Sequence, residues 1–253
     1  MPAEWNWERP DQLSATMDRL LLDMATCEKL EALPDSGPVG TARLRELGVT
    51  GIEFAAWKTA HAHGLGSDLV PLRDTDGVVT EPGRLFLVDG EALFLQLDIC
   101  QPLPFADGAV DWVYAEHLIE HVPLDVAIGW LAEVHRILSP GGVLRVTTPD
   151  LRRYVEGYLA GDGFFGKHRR RIRAAGLGPP MPARPAFMFN QLFYLYGHRW
   201  IYDLEELTYA LASAGFAPGA TQACGFRTGA RADVAELDRI FRNDETLYVE
   251  ATR

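Results

Sequence analysis

His117-Leu118-Ile119-Glu120-His121 places two imidazoles and a carboxylate within five residues. On a helix, histidines at i and i+4 share a face and can hold zinc, the arrangement of the inverted zinc-protease motif. A second reactive feature is the run His168-Arg169-Arg170-Arg171-Ile172-Arg173, which reads as a solvated loop or helix face or as a clamp for an anionic group. A third is the aromatic stretch from 187 to 202, where Phe187, Phe189, Phe193, Tyr194, Tyr196 and Trp200 accompany His198. Such a string packs a core, or caps an apolar pocket over a small organic molecule.

These groups need elements to position them. Leu13, Met17, Leu20, Leu21 and Met24 recur at helical spacing and predict a helix over residues 11–33, ended by Pro34-Asp35-Ser36-Gly37-Pro38. Residues 50–54 read as a short buried strand. Residues 85–88 and 92–97 are extended runs around Asp89-Gly90, a hairpin signal. Residues 109–115 form another strand, 124–138 an amphipathic helix broken by Ser139-Pro140-Gly141-Gly142, and 143–148 a β-branched strand. Strand, helix, strand in this order argues for a parallel sheet with helical crossovers. Residues 161–186, rich in Gly, Pro and Arg, read as a long loop or mobile insertion. Asp203 and Glu206 are placed to form a capping box on a helix that stops at Gly215. Residues 222–226 and 245–252 would make an antiparallel edge.

Several of these segments together resemble the class I S-adenosylmethionine (SAM) dependent methyltransferases, in a bacterial small-molecule type. The resemblance rests on Leu97-Asp98-Ile99-Cys100-Gln101-Pro102-Leu103-Pro104-Phe105, on Asp111-Trp112-Val113-Tyr114-Ala115-Glu116-His117 with Glu120-His121, and on Arg136-Ile137-Leu138-Ser139-Pro140-Gly141-Gly142. It continues through Thr148-Pro149-Asp150-Leu151, Gly197-His198-Arg199-Trp200-Ile201-Tyr202-Asp203 and a closing Leu247-Tyr248-Val249-Glu250-Ala251. It spans roughly residues 50 to 253. It implies a Rossmann-like, doubly wound α/β fold: a mostly parallel seven-stranded sheet with an antiparallel last strand. An N-terminal helical cap (1–38) would precede a domain over 39–253 with an insertion at about 152–200.

The resemblance also implies roles. A doubly wound sheet binds its nucleotide where the strand order reverses, at the carboxyl ends of the strands. Glu53 and Phe54 would lead into the cofactor turn, Asp68 would accept hydrogen bonds from the ribose, Asp98 and Ile99 would meet the adenine, and Glu116 and His117 would wall the site. The sequence departs from the family at the turn itself, where Ala55-Ala56-Trp57 replaces the usual pair of glycines. Alanine resists positive φ, and its Cβ takes space near the methionine part of the cofactor. The turn would shift and still bind SAM, bind it in another pose, or lose it. Because His117-Leu118-Ile119-Glu120-His121 lies inside the methyltransferase block, no metal is expected. His121 or His198 would act as a general base with Asp150 to orient it, and Tyr154, Asn190, Tyr194 and Trp200 would face the substrate.

Composition bounds the rest. The 253 residues make one large domain, or one domain with an appendage, and carry a net charge of −11, which disfavours nucleic acid and anionic lipid. Three scattered cysteines without a CxxC pair fit a reducing cytoplasm. Nothing near Met1 resembles a signal peptide. The expected protein is a cytoplasmic monomer or homodimer that methylates a small molecule. The alternatives are a SAM-using enzyme that releases methylthioadenosine, a scaffold that keeps the fold without catalysis, and a zinc hydrolase.

Overall fold

The computed structural model describes residues 25–34, 39–176 and 181–253. Of the leading helix read over residues 11–33 and the cap over 1–38, residues 1–24 and 35–38 lie outside the described residues. Where that helix was extended to residue 33, the chain instead forms strand β1, Leu30–Ala32. The other strands are β2 (Gly51–Phe54), β3 (Gly64–Asp68), β4 (Leu85–Val88), β5 (Ala92–Gln96), β6 (Val110–Glu116), β7 (Leu138–Pro149), β8 (Thr221–Cys224) and β9 (Thr246–Thr252). The helices are α1 (Thr41–Glu46), α2 (Leu124–Ile137), α3 (Leu151–Ala160), α4 (Phe164–Ala174), α5 (Pro185–Tyr194), α6 (Leu204–Ser213) and α7 (Ala232–Ala235).

The strands form one sheet in the order β1-β4-β5-β3-β2-β6-β7-β9-β8. The expected seven strands are present from β5 to β8, with β9 antiparallel to both neighbours. The sheet nevertheless has nine strands, because β4 and β1 add antiparallel pairs beyond β5. Only the four pairings from β5 to β7 are parallel, so the mostly parallel sheet becomes a mixed one. The hairpin that makes β4 pair with β5 turns on Asp89 and Gly90, at φ of 54° and 73°. Two consecutive left-handed residues match the twist of the flanking strands.

One face of the sheet is covered by α1, α2 and α6. Leu44, Trp130, Leu131 and Leu207 pack there against Ile52, Phe54, Val113 and Val146. Among the described residues, the opposite face lacks crossover helices. Residues 55–63 link the parallel strands β2 and β3 without a helix, contrary to the expected helical crossover. This link lies flat on the sheet because the strands beneath it are small. A Cβ on Gly66 would sit 2.9 Å from the Ala56 carbonyl oxygen, and one on Gly64 2.6 Å from Thr59 Oγ1. Further along, residues 225–245 cover the same face.

That second cover is stapled by Arg145, in the middle of β7 and fully buried. Its Nε and Nη2 donate to the two oxygens of Asp238 at 2.9 and 2.6 Å, and its Nη1 donates to Glu250 at 2.9 Å. The carbonyls of Thr228 and Gly225 take its remaining donors. All five guanidinium N–H groups are thereby satisfied. Gly229 is required above this pair, since a Cβ there would stand 1.9 Å from Glu250 Oε1.

Helices α3 to α5 build a satellite core around Tyr154, Phe164, Ile172, Met188 and Leu192. The expected long loop at 161–186 thus contains a helix, α4, which carries the basic run. His168 of that run is buried. Its Nε2 lies 3.1 Å from the Tyr154 hydroxyl, which donates to Glu245, and its Nδ1 faces Asp244 at 3.4 Å. Gln191 Nε2 donates to the Tyr154 hydroxyl, and Arg171 pairs with Asp244. Burial lowers the imidazole pKa and Arg171 opposes its charge, but Glu245 and Asp244 outweigh both and raise it above 6.5. The imidazolium therefore stabilises the fold fully below its unfolded value, and the contribution fades as pH rises through the folded value. The stability difference between wild type and His168→Gln is expected to be larger at pH 6 than at pH 9, measured by urea unfolding. A difference that does not shrink would show His168 to be neutral in the fold.

Candidate cofactor and acceptor site

The sheet order reverses between β2 and β6, so their carboxyl ends flank a crevice, with those of β3 and β5 alongside. Both residues that leave this switch point adopt left-handed backbone: Ala55 after β2 at φ 55° and His117 after β6 at φ 50°. Ala55 keeps the conformation that glycine would hold and adds only a methyl group. Ala55→Gly removes a strain of about 1–2 kcal/mol but frees the unfolded chain by about 0.5–1 kcal/mol. A net gain of up to about 1.5 kcal/mol in urea unfolding is expected; a loss would show that the Ala55 side chain makes contacts worth more than the strain.

Trp57 packs, half-buried, on the apolar cluster of Cys27, Leu72 and Phe86 beside β4. Asp68 ends β3 and accepts from Val70 N at 3.0 Å. Burial pushes its carboxyl above the ordinary value, only partly offset by backbone hydrogen bonds, and no cation pairs with it among the described residues. Leu97 N donates to Asp68 O at 2.9 Å, which brings the Asp98-Ile99 turn alongside, and Asp98 accepts from Cys100 N at 2.9 Å.

Glu53 and Glu116 point to the face covered by residues 55–63 and 225–245. Burial raises the Glu53 carboxyl, while hydrogen bonds from Thr59 and Ala60 and the charge of Arg239 offset part of the rise. One Glu116 oxygen accepts from Arg239 N at 3.0 Å, and the other lies 3.3 Å from Arg239 Nε. Arg239 Nη2 stands 3.9 Å from Glu53. Arg239 and Arg145 were not singled out in the sequence. The one signal for Arg145 was a charge inside the β-branched run 143–148; Arg239 offered none.

The H-x-x-E-H segment is not the helix that its spacing suggested. His117 is left-handed, and only a 3-10 turn, Ile119–His121, follows. His117 Nε2 bonds to Thr246 Oγ1 at 2.8 Å, so its ring stays in the wall of the site. His121 instead meets His198 edge to face, with ring centroids 4.8 Å apart. Glu120 is buried below them and accepts from Thr148 Oγ1 at 3.1 Å. Its backbone carbonyl receives Arg199 N and Trp200 N, which fixes the His198 segment here.

Of the other acceptor-side candidates, Asp150 caps α3 by accepting from Arg152 N at 2.9 Å. Tyr154 is enclosed in the satellite core with no exposed surface. Asn190 is exposed and bonds to Ala186 O at 2.8 Å, Tyr194 is exposed, and Trp200 donates to Glu206 at 2.9 Å. That bond occupies the carboxylate expected to complete the capping box. Asp203 still caps α6 through Glu206 N at 3.0 Å.

Residues 48–146, from the strand before the crevice to the strand after it, match the family model of the methyltransferase domain. Over that segment the chain is similar to the methyltransferase domain family. The matched segment contains Ala55, Asp68, Asp98, His117 and Glu120, while Arg239 and His198 reach the crevice from outside it. Among solved structures, the chain is similar to a SAM-dependent methyltransferase from Archaeoglobus fulgidus, at 11% identity over 96% of this chain and 94% of that one, with a TM-score of 0.41. It is also similar to one from Mesorhizobium loti, at 19% identity over 84% and 96%, with a TM-score of 0.42. Likenesses at this level carry no argument about the acceptor. A comparison with curated proteins finds no match. No helix among the described residues is long and apolar enough to cross a membrane.

Proposed function

We propose that this methyltransferase domain binds SAM at the β2–β6 switch point and methylates a small-molecule acceptor held beside His121 and His198. The observation that carries the reading is the left-handed Ala55. It keeps the cofactor turn in glycine-like form, although both family glycines are replaced. The donor set fits as well. Asp68, a partly buried carboxylate without a cation, suits the ribose hydroxyls, and Asp98 with Ile99 suits the adenine edge. Phe54 and Ala55 would line the methionine side through their backbone, with Glu116 and His117 as the opposite wall and Trp57 behind the turn. Glu53 holds the link from below through Thr59 and Ala60.

SAM supplies an activated methyl carbon, which an acceptor nucleophile displaces in line with release of S-adenosylhomocysteine. The chain's own part is positioning and exclusion of water. The adjacent His121 and His198 rings would take up an acceptor proton or polarise an acceptor oxygen. Asp150 acts by holding α3, while Asn190, Tyr194 and Trp200 offer exposed groups on the insertion for the acceptor to meet. Tyr154 supports that insertion from inside. The reading takes residues 1–38 as a cap on a domain over 39–253, in a cytoplasmic monomer or homodimer that engages neither nucleic acid nor membrane.

Calorimetric titration with SAM, S-adenosylhomocysteine and methylthioadenosine tests it. Micromolar binding of the first two is expected. Preferred binding of methylthioadenosine would move the reading to the non-methylating SAM enzymes, and no binding of any of the three would reduce the chain to a scaffold.

A further inference from the structure

Glu120 is fully buried, and its two carboxylate oxygens have different surroundings. Oε2 accepts the Thr148 hydroxyl, whereas Oε1 has no well-formed hydrogen bond and is held by the looser contact with His117 Nδ1 at 3.3 Å. A buried carboxylate oxygen left in this state is costly unless a cation or donor completes it. The groups above it are two imidazoles. A carboxylate oxygen of Glu120, a ring nitrogen of His121 and a ring nitrogen of His198 all lie within 4.8 Å of one another. His198 Nδ1 lies 2.5 Å from the Leu192 carbonyl oxygen, so its proton is committed there and Nε2 keeps the lone pair. A backbone carbonyl on the far nitrogen is the usual way a ligating histidine is oriented, and the Thr148 hydroxyl does the same for the carboxylate.

We propose that Glu120, His121 and His198 form a binding site for one divalent transition-metal ion. Two imidazoles and one carboxylate are a borderline donor set suited to zinc, cobalt or iron(II), and three protein ligands leave positions open for other oxygen atoms. The ligands come from the 3-10 turn after β6 and from the segment after α5, which the Glu120 carbonyl binds together through Arg199 N and Trp200 N. His121 is exposed and gives the ion an entrance. His117 remains outside the ligand set, so this is not the pair that the H-x-x-E-H spacing offered, and the site departs from the metal-free expectation. The ion's open positions would take an acceptor hydroxyl together with a neighbouring oxygen. That role rests on the methyl-transfer reading; the site itself does not.

The test uses the untagged full chain, loaded with cobalt(II) or zinc(II), dialysed against metal-free buffer and analysed for retained metal, with cobalt ligand-field absorption as a second readout. One ion per chain is expected. His121→Ala, at an exposed position, and His198→Gln should each weaken binding by at least roughly tenfold, while His63→Ala, at the amino end of β3, should leave it unchanged. No retained ion, or retention indifferent to both substitutions in chains whose circular dichroism is native, would overturn the site. Titration with SAM separates the two claims. Metal binding without SAM binding upholds the site and removes only its role in methyl transfer.

Discussion

Arg145→Met is expected to destabilise the chain by about 3–5 kcal/mol, the cost of stranding buried charge. The side chain it removes satisfies Asp238 and Glu250, both almost completely buried. Burial lowers the guanidinium pKa, but these two carboxylates more than restore it, so the arginine is a fixed cation. Asp238 would keep Arg227 N and the Tyr114 hydroxyl, and Glu250 would keep Ala230 N, but neither would keep a counter-charge. Arg145→Lys should recover little of the loss, since an ammonium has three donors where five are used. Urea unfolding gives the number. Hydrogen exchange gives the location: amides of residues 225–245 should lose protection before those of β2 and β6. A loss under about 1 kcal/mol, the range of an exposed pair, would mean that the staple is solvated in solution.

The second large effect concerns affinity. Asp68→Ala should weaken SAM binding by about 1–3 kcal/mol, because ribose hydroxyls would lose a charge-assisted partner in a largely desolvated position. The fold should tolerate the change, since Asp68 is bound only to the backbone of its own turn. Asp68→Asn keeps one acceptor oxygen and should fall between the two. Unchanged affinity in Asp68→Ala would place the ribose elsewhere, with Asp98 the next candidate. Trp57→Gly is the companion measurement: the side chain packs behind the turn, so SAM affinity should change less than in Asp68→Ala.

Features set by local chemistry were legible in the sequence. Asp89-Gly90 favours two left-handed residues in a row, and Asp203 caps the helix that follows it. Features set by distant packing were not. The flat link over residues 55–63 depends on Gly64 and Gly66 beneath it, and no periodicity announces that a crossover helix is missing. Strand β1 was hidden because Leu30 continues an apolar spacing that also suits a helix. Helix α4 was masked by the glycines around it and by its arginines, although Phe164, Phe165, His168 and Ile172 already mark a buried stripe. At the candidate site, the pairing of His121 with His198 joins residues 77 positions apart, and the local H-x-x-E-H spacing pointed to the wrong partner.

The Arg145 staple also dictates when this fold can close. Its carboxylate partners lie 93 and 105 residues downstream. A nascent chain that has left the ribosome only as far as β7 therefore carries an unpaired guanidinium in the centre of its sheet. Contacts this far apart in sequence form late and slow the chain's descent to the native state. Until β9 arrives, the half-made sheet is exposed to proteases and to aggregation through its open edge, and a chaperone that shields that edge should raise the yield of folded enzyme more than one that acts on the finished helices.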